Sequence, residues 1–248
     1  MSSNTKPAMA TELNAVVNYS KKMTPFSAAR YTIEVCTKLN SNVLTTATAL
    51  SYFHTFYQNT TFEDYDPFTI GCTCIHMASK VVNDDLRIRD IINVGLSCVQ
   101  HNAPPLMLEP YFTMRDSLTQ CELLLMRALG FNLKVELPHK YLLMYMTALQ
   151  DWLGRAVFEG IPVPETAWRV LQDAFHDKLV VTSPPQLVAA ACCHVALELH
   201  GVDVPSEPGT PHWYTALHPS CDKQAITELG LEIFAVYDKE KTLDLHSN

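Results

Sequence analysis

Cysteine and histidine are the residues here that could carry chemistry of their own: eight cysteines and ten histidines in 248 residues. Cys72, Cys74 and His76 crowd into five positions. A structural zinc ion needs four converging ligands, and a thiol nucleophile needs a base within hydrogen-bond reach. On a helix, Cys74 points about 160° away from both of the others, so the trio does not converge. Cys192 and Cys193 are neighbours in an alanine-rich stretch, and Cys121 stands beside Glu122. Cys98 and His101 share one side of a helix, yet burial of that helix is the simpler account. There is no Gly-rich phosphate loop, no HExxH and no GxSxG. The thiols read as buried and reduced; no catalytic residue, metal ligand or cofactor is expected.

A second kind of chemistry is recognition by charge. From Asp66 to Asp90 the chain reads DPFTIGCTCIHMASKVVNDDLRIRD. Asp66-Pro67 is a helix start, with a side-chain acceptor at the cap and a missing N–H where none is needed. At about 100° per residue, Thr69, Thr73, His76 and Lys80 form one narrow polar stripe. Phe68, Ile70, Cys72, Cys74, Ile75, Met77, Ala78, Val81 and Val82 fill the remaining arc. Such a helix is surrounded by others and shows one exposed strip ending in Lys80. Farther on, Glu122 lies within the apolar stripe Leu118, Cys121, Leu125 and Leu129. It stands at the edge of a buried face or is aimed at something specific. A solvated lysine at a helix C-terminus and an ion pair within the chain are the plainer readings of these two charges.

Composition narrows the class. An apolar fraction of 48% is ample for a core, and a formal charge of −8 argues against nucleic acid as the main partner. Eight glycines and long 3.6-residue periodicities predict an all-α chain. The opening residues have no apolar run of signal-peptide length. The longest apolar run, Leu187 to Leu197, is short of a membrane span. The expectation is an intracellular protein, in the nucleus, the cytoplasm or both.

The helices that position the two charges are read in order. A tail and a short helix (Thr11 to Lys22) precede Phe26–Leu39 and Val43–Gln58, the latter capped by Ser41 or Asn42. After the buried helix come Arg87–His101, a loop with Pro104, Pro105 and Pro110, and Tyr111–Leu129 closed by Gly130. Phe131–Leu137 is an extended connector. The pattern then restarts with Pro138–Leu153, Glu165–Leu179, a buried helix opened by Ser183-Pro184 and running to Leu199, a short piece around Trp213, and Asp222–Tyr237. Two runs of five helices follow one another, each with its most buried member third.

The segments Ala78-Ser79-Lys80-Val81, Cys121-Glu122-Leu123-Leu124 and Leu129-Gly130-Phe131-Asn132-Leu133 resemble the cyclin box. DYDPF (Asp64 to Phe68), LRIRDIINV (Leu86 to Val94), QCELLLMRALGF (Gln120 to Phe131) and PHKYLL (Pro138 to Leu143) also read like the cyclin family, in its order and spacing. The resemblance spans about Phe26 to Tyr237 and is looser after Pro162. It implies a cyclin fold of two tandem five-helix boxes: 1–24 as tail and short helix, 25–133 as the first box, 134–240 as the second, and 241–248 as tail. It further implies a regulatory subunit, not an enzyme, that forms a heterodimer with a cyclin-dependent kinase, by analogy cyclin-dependent kinase 10.

In that family a lysine ending the third helix and a glutamate in the fifth hydrogen-bond kinase backbone beside its C-helix; the matching positions are Lys80 and Glu122. Ile33, Val43, Leu44, Thr73, Asn83, Asp84, Thr113, Arg115 and Ser117 are candidate neighbours in the same interface. The expectation is that Lys80 and Glu122 face outward to hold a partner and do not hold each other. The sequence departs from the family in placing Val82-Asn83 before Asp84-Asp85, and in lacking a Met-Arg-Ala-Ile-Leu docking motif on its first box helix. The same fold serves TFIIB-type transcription factors, which need a basic face this acidic chain lacks.

Overall fold

The protein is described here from a computed structural model over residues 19, 23–100, 103–154, 158, 160–205, 212–218 and 221–242. The expected helix at Thr11–Lys22 lies outside these residues except for Tyr19, as do most of the proline-rich loop 204–211, His101 and the tail after residue 242. Among the described residues every regular element is helical.

Local chemistry sets the helix starts. In α1 (Pro25–Lys38) Thr24 and Ser27 form a reciprocal capping box, each side-chain oxygen accepting the other's backbone N–H at 3.1 and 2.8 Å. Asn42 caps α2 (Val43–Asn59) by accepting from the Leu44 N–H, and Asp66 caps α3 (Pro67–Val82) by accepting from that of Thr69. A 3-10 turn at Phe62–Asp64 joins α2 to α3. Then come α4 (Ile88–Val99) and α5 (Leu108–Ala128). α5 begins a turn earlier than the sequence pattern suggested, because Pro110 sits in its first turn, where no N–H is required.

The second group comprises α6 (His139–Leu153), α7 (Val163–Ala174), α8 (Leu179–Thr182), α9 (Pro185–Leu199), α10 (Trp213–Leu217) and α11 (Lys223–Lys241). The expected single helix Glu165–Leu179 is interrupted after Ala174. There the backbone turns at Phe175 and His176, and the Phe175 carbonyl is taken by His54 of α2 at 2.9 Å. Ser183 does not cap α9, whose first turn has no side-chain cap. Asp222 does cap α11, accepting from the Ala225 N–H.

Each group is built around one helix. α3 packs against α1, α2, α4 and α5, and α9 against α6, α7, α8 and α11. Ile70, Cys74, Ile75 and Ala78 of α3, and Ala189 to Cys193 of α9, are fully enclosed. Close approach of α4 requires Gly95, since a Cβ there would lie 2.7 Å from both the Cys72 Sγ and the Tyr31 hydroxyl. Polar contacts brace one group on the other: Arg30 Nε donates to Glu240 Oε1 at 2.9 Å, and His54 Nε2 meets the Phe175 carbonyl at 2.9 Å.

Two histidines at this seam are buried. Burial pushes His54 and His139 down to about 4 from 6.5, so both rings are neutral in the folded chain. Unfolding frees them to protonate, so below the unfolded value the unfolded state binds more protons. Stability is therefore expected to be full above pH 6.5 and to fall as pH drops from about 6.5 toward 4, by up to about 2–3 kcal/mol per pH unit for the two rings together. Urea titrations across that range will check it, with a flat profile as the contrary result. Gly95→Ala should lower stability by about 1–3 kcal/mol through overpacking against Tyr31 and Cys72, read as a fall in denaturation midpoint.

Candidate functional site

The site grows from the way α3 ends. Asn83 takes the left-handed conformation (φ 62°), and the N–H groups of Asn83 and Asp84 both reach back to the Ser79 carbonyl. Asparagine tolerates this conformation, which makes it a stop signal second only to glycine. The turn delivers the Asp84 carboxylate to the start of α2, where Oδ2 accepts from the Asn42 N–H and the Thr45 hydroxyl, both at 2.8 Å. The end of α3 and the start of α2 are thus tied together. Val43 and Leu44 stand exposed at that junction, at 38% and 42% of their surface.

At the same end, the Lys80 Nζ donates to Glu122 Oε1 of α5 at 2.6 Å. The expectation that the two charges would not hold each other is therefore corrected: in the isolated chain they do. The pair is lopsided, since 54% of the Lys80 side chain is open to solvent and only 16% of Glu122. Glu122 interrupts an apolar stripe and has little water, and Lys80 is the long cation within reach. The ammonium can swing into solvent, so a partner that offers Glu122 equivalent hydrogen bonds can replace it at little cost.

His76, one turn before Lys80, places Nε2 at 3.4 Å from the same Glu122 oxygen. Its ring is largely covered and its Nδ1 has no hydrogen-bond partner. Burial lowers the His76 pKa and Lys80 lowers it further, against the opposing pull of Glu122.

The other expected residues divide. Val43, Leu44, Asn83 and Asp84 gather with Lys80 at this end of the bundle, with Asp84 occupied by its bonds to α2. Thr73 is corrected: it is fully enclosed and its hydroxyl donates to the Thr69 carbonyl at 2.7 Å. The polar stripe of α3 is therefore covered at Thr73 and exposed at its last residue, Lys80.

Ile33 is also placed elsewhere, lining a cleft between the two groups of helices with Arg30, Phe175, His176 and Val236. Arg115 lies two turns before Glu122 and within about 20° of it around α5, its guanidinium held by Asp116 at 2.8 Å and stacked over Phe112. Thr113 is about 180° from Glu122 around the helix, and its hydroxyl and that of Ser117 are bonded back to their own helix.

Two contributors were missed. Val81 and Leu123, the immediate neighbours of Lys80 and Glu122, are 46% and 44% exposed. The sequence pattern put Val81 on the buried arc; in the last turn of α3 it is exposed beside Lys80. Leu123 falls outside the Leu118/Leu125 stripe, a signal that was present and unused.

Thiol chemistry has no support at this site. Burial pushes Cys72 up to about 12 and Cys98 up to about 11, and Cys121 is raised as well. None of the eight cysteines forms a disulfide. Among the described residues no cluster of three His, Cys, Asp or Glu side chains could hold a metal ion, and no helix is long and apolar enough to cross a membrane.

Residues 17–134 match the family described as cyclin, N-terminal domain. Among curated relatives, zebrafish (Danio rerio) cyclin-L1 is 27% identical over 199 residues, which is 79% of this chain and 38% of that protein. Human (Homo sapiens) cyclin-L2 is 26% identical over 200 residues, covering 79% and 36%. The chain thus spans little more than a third of the length of these relatives. Among solved structures, a chain of the yeast RNA polymerase II CTD kinase CTDK-1 complex superposes with a TM-score of 0.68 at 18% identity, over 89% of this chain and 67% of that one. A chain of the yeast TFIIK complex gives 0.57 at 19% identity, over 86% and 85%. At such identities the likeness shows a shared fold, the all-helical cyclin fold.

Replacing Asp84 by alanine strands the Asn42 N–H and the buried Thr45 hydroxyl. Asp84→Ala should therefore cost about 1–2 kcal/mol, whereas Lys80→Ala, which removes a half-exposed ammonium and leaves His76 Nε2 3.4 Å from Glu122, should cost less. Chemical denaturation of the two variants side by side will show whether the order holds.

Proposed function

The cyclin N-terminal domain and the cyclin-L relatives support placing this chain in the cyclin family, and on that premise we propose that it is the regulatory subunit of a cyclin-dependent protein kinase. The observation that carries this reading is the end of α3. A well-packed helical protein leaves Val43, Leu44, Val81 and Leu123 in water there, beside an ion pair with a half-exposed lysine. Apolar side chains around a few directed polar groups are the ingredients of an interface with its binding energy concentrated at the centre. The formal charge of −8 argues against a nucleic acid as the main partner.

The mechanism follows from what a kinase needs. Phosphoryl transfer requires the C-helix glutamate to be paired with the strand-three lysine. A subunit that binds only the C-helix-in arrangement shifts the population toward it. Differential binding of about 5.5 kcal/mol moves such an equilibrium from 1:99 to 99:1. Lys80 supplies donors and Glu122 acceptors to main-chain groups next to the C-helix, with the apolar rim excluding water. The chain contributes no catalytic group. Residues 25–133 act as the box that meets the kinase, and 134–240 form a second box behind it.

The strings LRIRDIINV and QCELLLMRALGF support a finer version. In it the chain is of the cyclin Q type and its partner is cyclin-dependent kinase 10, in a complex that works inside the cell, in the nucleus, the cytoplasm or both.

The test is association and activation. With cyclin-dependent kinase 10 as partner, Lys80→Ala/Glu122→Ala should lose association and kinase activation at least tenfold, with little change in melting temperature. Full activation by the double variant removes the site from the proposal. Loss of folding assigns the pair a structural role instead.

A further inference from the structure

We propose that His76 is a positioning residue of the partner-binding site: a reserve donor whose Nε2–H takes the Glu122 carboxylate when Lys80 turns away to a partner. The inference rests on the reading of Lys80 and Glu122 above and concerns a residue that reading does not use. Three features of the geometry carry it.

First, Lys80 and His76 converge on one atom. Nζ is 2.6 Å and Nε2 3.4 Å from Glu122 Oε1. An N–H···O bond forms at about 2.7–3.2 Å, so His76 stands a few tenths of an ångström outside bonding distance while Lys80 is in place. A small rotation of the Glu122 side chain closes that gap once the ammonium has left.

Second, Glu122 needs a replacement donor. Only 16% of its side chain is open to solvent. A carboxylate left bare in that position loses both its ion pair and most of its hydration, a cost larger than that of an ordinary lost hydrogen bond. With a donor already beside it, release of Lys80 becomes cheap, and the carboxylate keeps its aim for the partner.

Third, the imidazole is set up for this in one tautomer. Its Nδ1 is buried without a partner. As a bare acceptor this is tolerable, whereas an N–H there would be a stranded donor; the proton therefore belongs on Nε2, facing Glu122. The charged groups that bear on the ring are Lys80 on α3 itself and Glu122 on α5. The ring stays neutral in the free chain, so the donor is available without any pH trigger.

Two measurements test the proposal independently. In ¹⁵N-histidine NMR of the free chain, His76 should be the Nε2–H tautomer with a pKa below that of an ordinary histidine. That pKa should rise in Lys80→Ala and fall further in Glu122→Gln. An Nδ1–H tautomer, or a ring indifferent to both substitutions, overturns the proposal. In binding to cyclin-dependent kinase 10, His76→Leu should weaken association about tenfold. His76→Gln, whose amide can donate from nearly the same place, should restore most of it at a melting temperature equal to that of the leucine variant. If His76→Leu binds like the natural chain while Lys80→Ala/Glu122→Ala does not, the reserve-donor role fails and the kinase-binding site stands. If the double variant also binds normally, the site itself fails.

Discussion

A helix enclosed by four others can meet the outside world only at its ends. That constraint governs this protein. α3 is covered by α1, α2, α4 and α5 along nearly its whole length, to the point that even Thr73 on its polar stripe is sealed in and must satisfy its hydroxyl on its own backbone. What the helix can offer a partner is concentrated in its last turn, at Lys80 and Val81. The left-handed stop at Asn83 and the Asp84 bonds to α2 fix that turn in place and bring Val43 and Leu44 alongside it. Rigidity of the scaffold and accessibility of the site have the same origin.

The same constraint explains why the two charges pair in the isolated chain without compromising a role in binding. Glu122 lies in an apolar stripe and Lys80 is a long cation beside it, so electrostatics brings them together at 2.6 Å. An association that exchanges one set of charge-assisted hydrogen bonds for another of similar geometry is nearly neutral in those terms. The net driving force then comes from burying the apolar rim. The polar groups chiefly set register and partner choice, which is their usual part in interfaces.

Much of this could be read from the residues. Asp66-Pro67 marked the start of α3, its composition marked its burial, and Glu122 stood out as a carboxylate in an apolar stripe. What periodicity could not supply was depth. Thr73 and Lys80 share a stripe at 100° per residue, and only the tertiary packing decides that one is sealed and the other open. Val81 shows the converse: periodicity assigned it to the core, yet it stands exposed in the last turn of α3. Ile33 was misplaced because α1 has two buried sides, and the sequence does not say which faces α3 and which faces the cleft toward α11. His76 was legible as a member of the stripe, while its convergence with Lys80 on one oxygen depends on a helix forty-six residues away and leaves no local trace.

The second group of helices repeats the enclosure of α3 in α9, yet its helix end offers different chemistry. Where α3 closes with a lysine aimed across to α5, α9 carries Glu198, which lies 3.7 Å from the His194 Nε2 of its own helix. Its contacts with the first group are instead fixed and inward: His54 to the Phe175 carbonyl, Arg30 to Glu240, and Phe26 stacked on His176. The first two are buried or partly buried and hydrogen-bonded, costly to break because a polar group is left stranded. An element that spends its polar groups in this way acts as a brace. By holding α1 and α2 from behind, the second group keeps the start of α2, and with it Val43, Leu44 and the Asp84 tether, at a constant distance from Lys80. Displacement of that brace should reach the site through α2 before it disturbs α3, whose own enclosure does not depend on the second group.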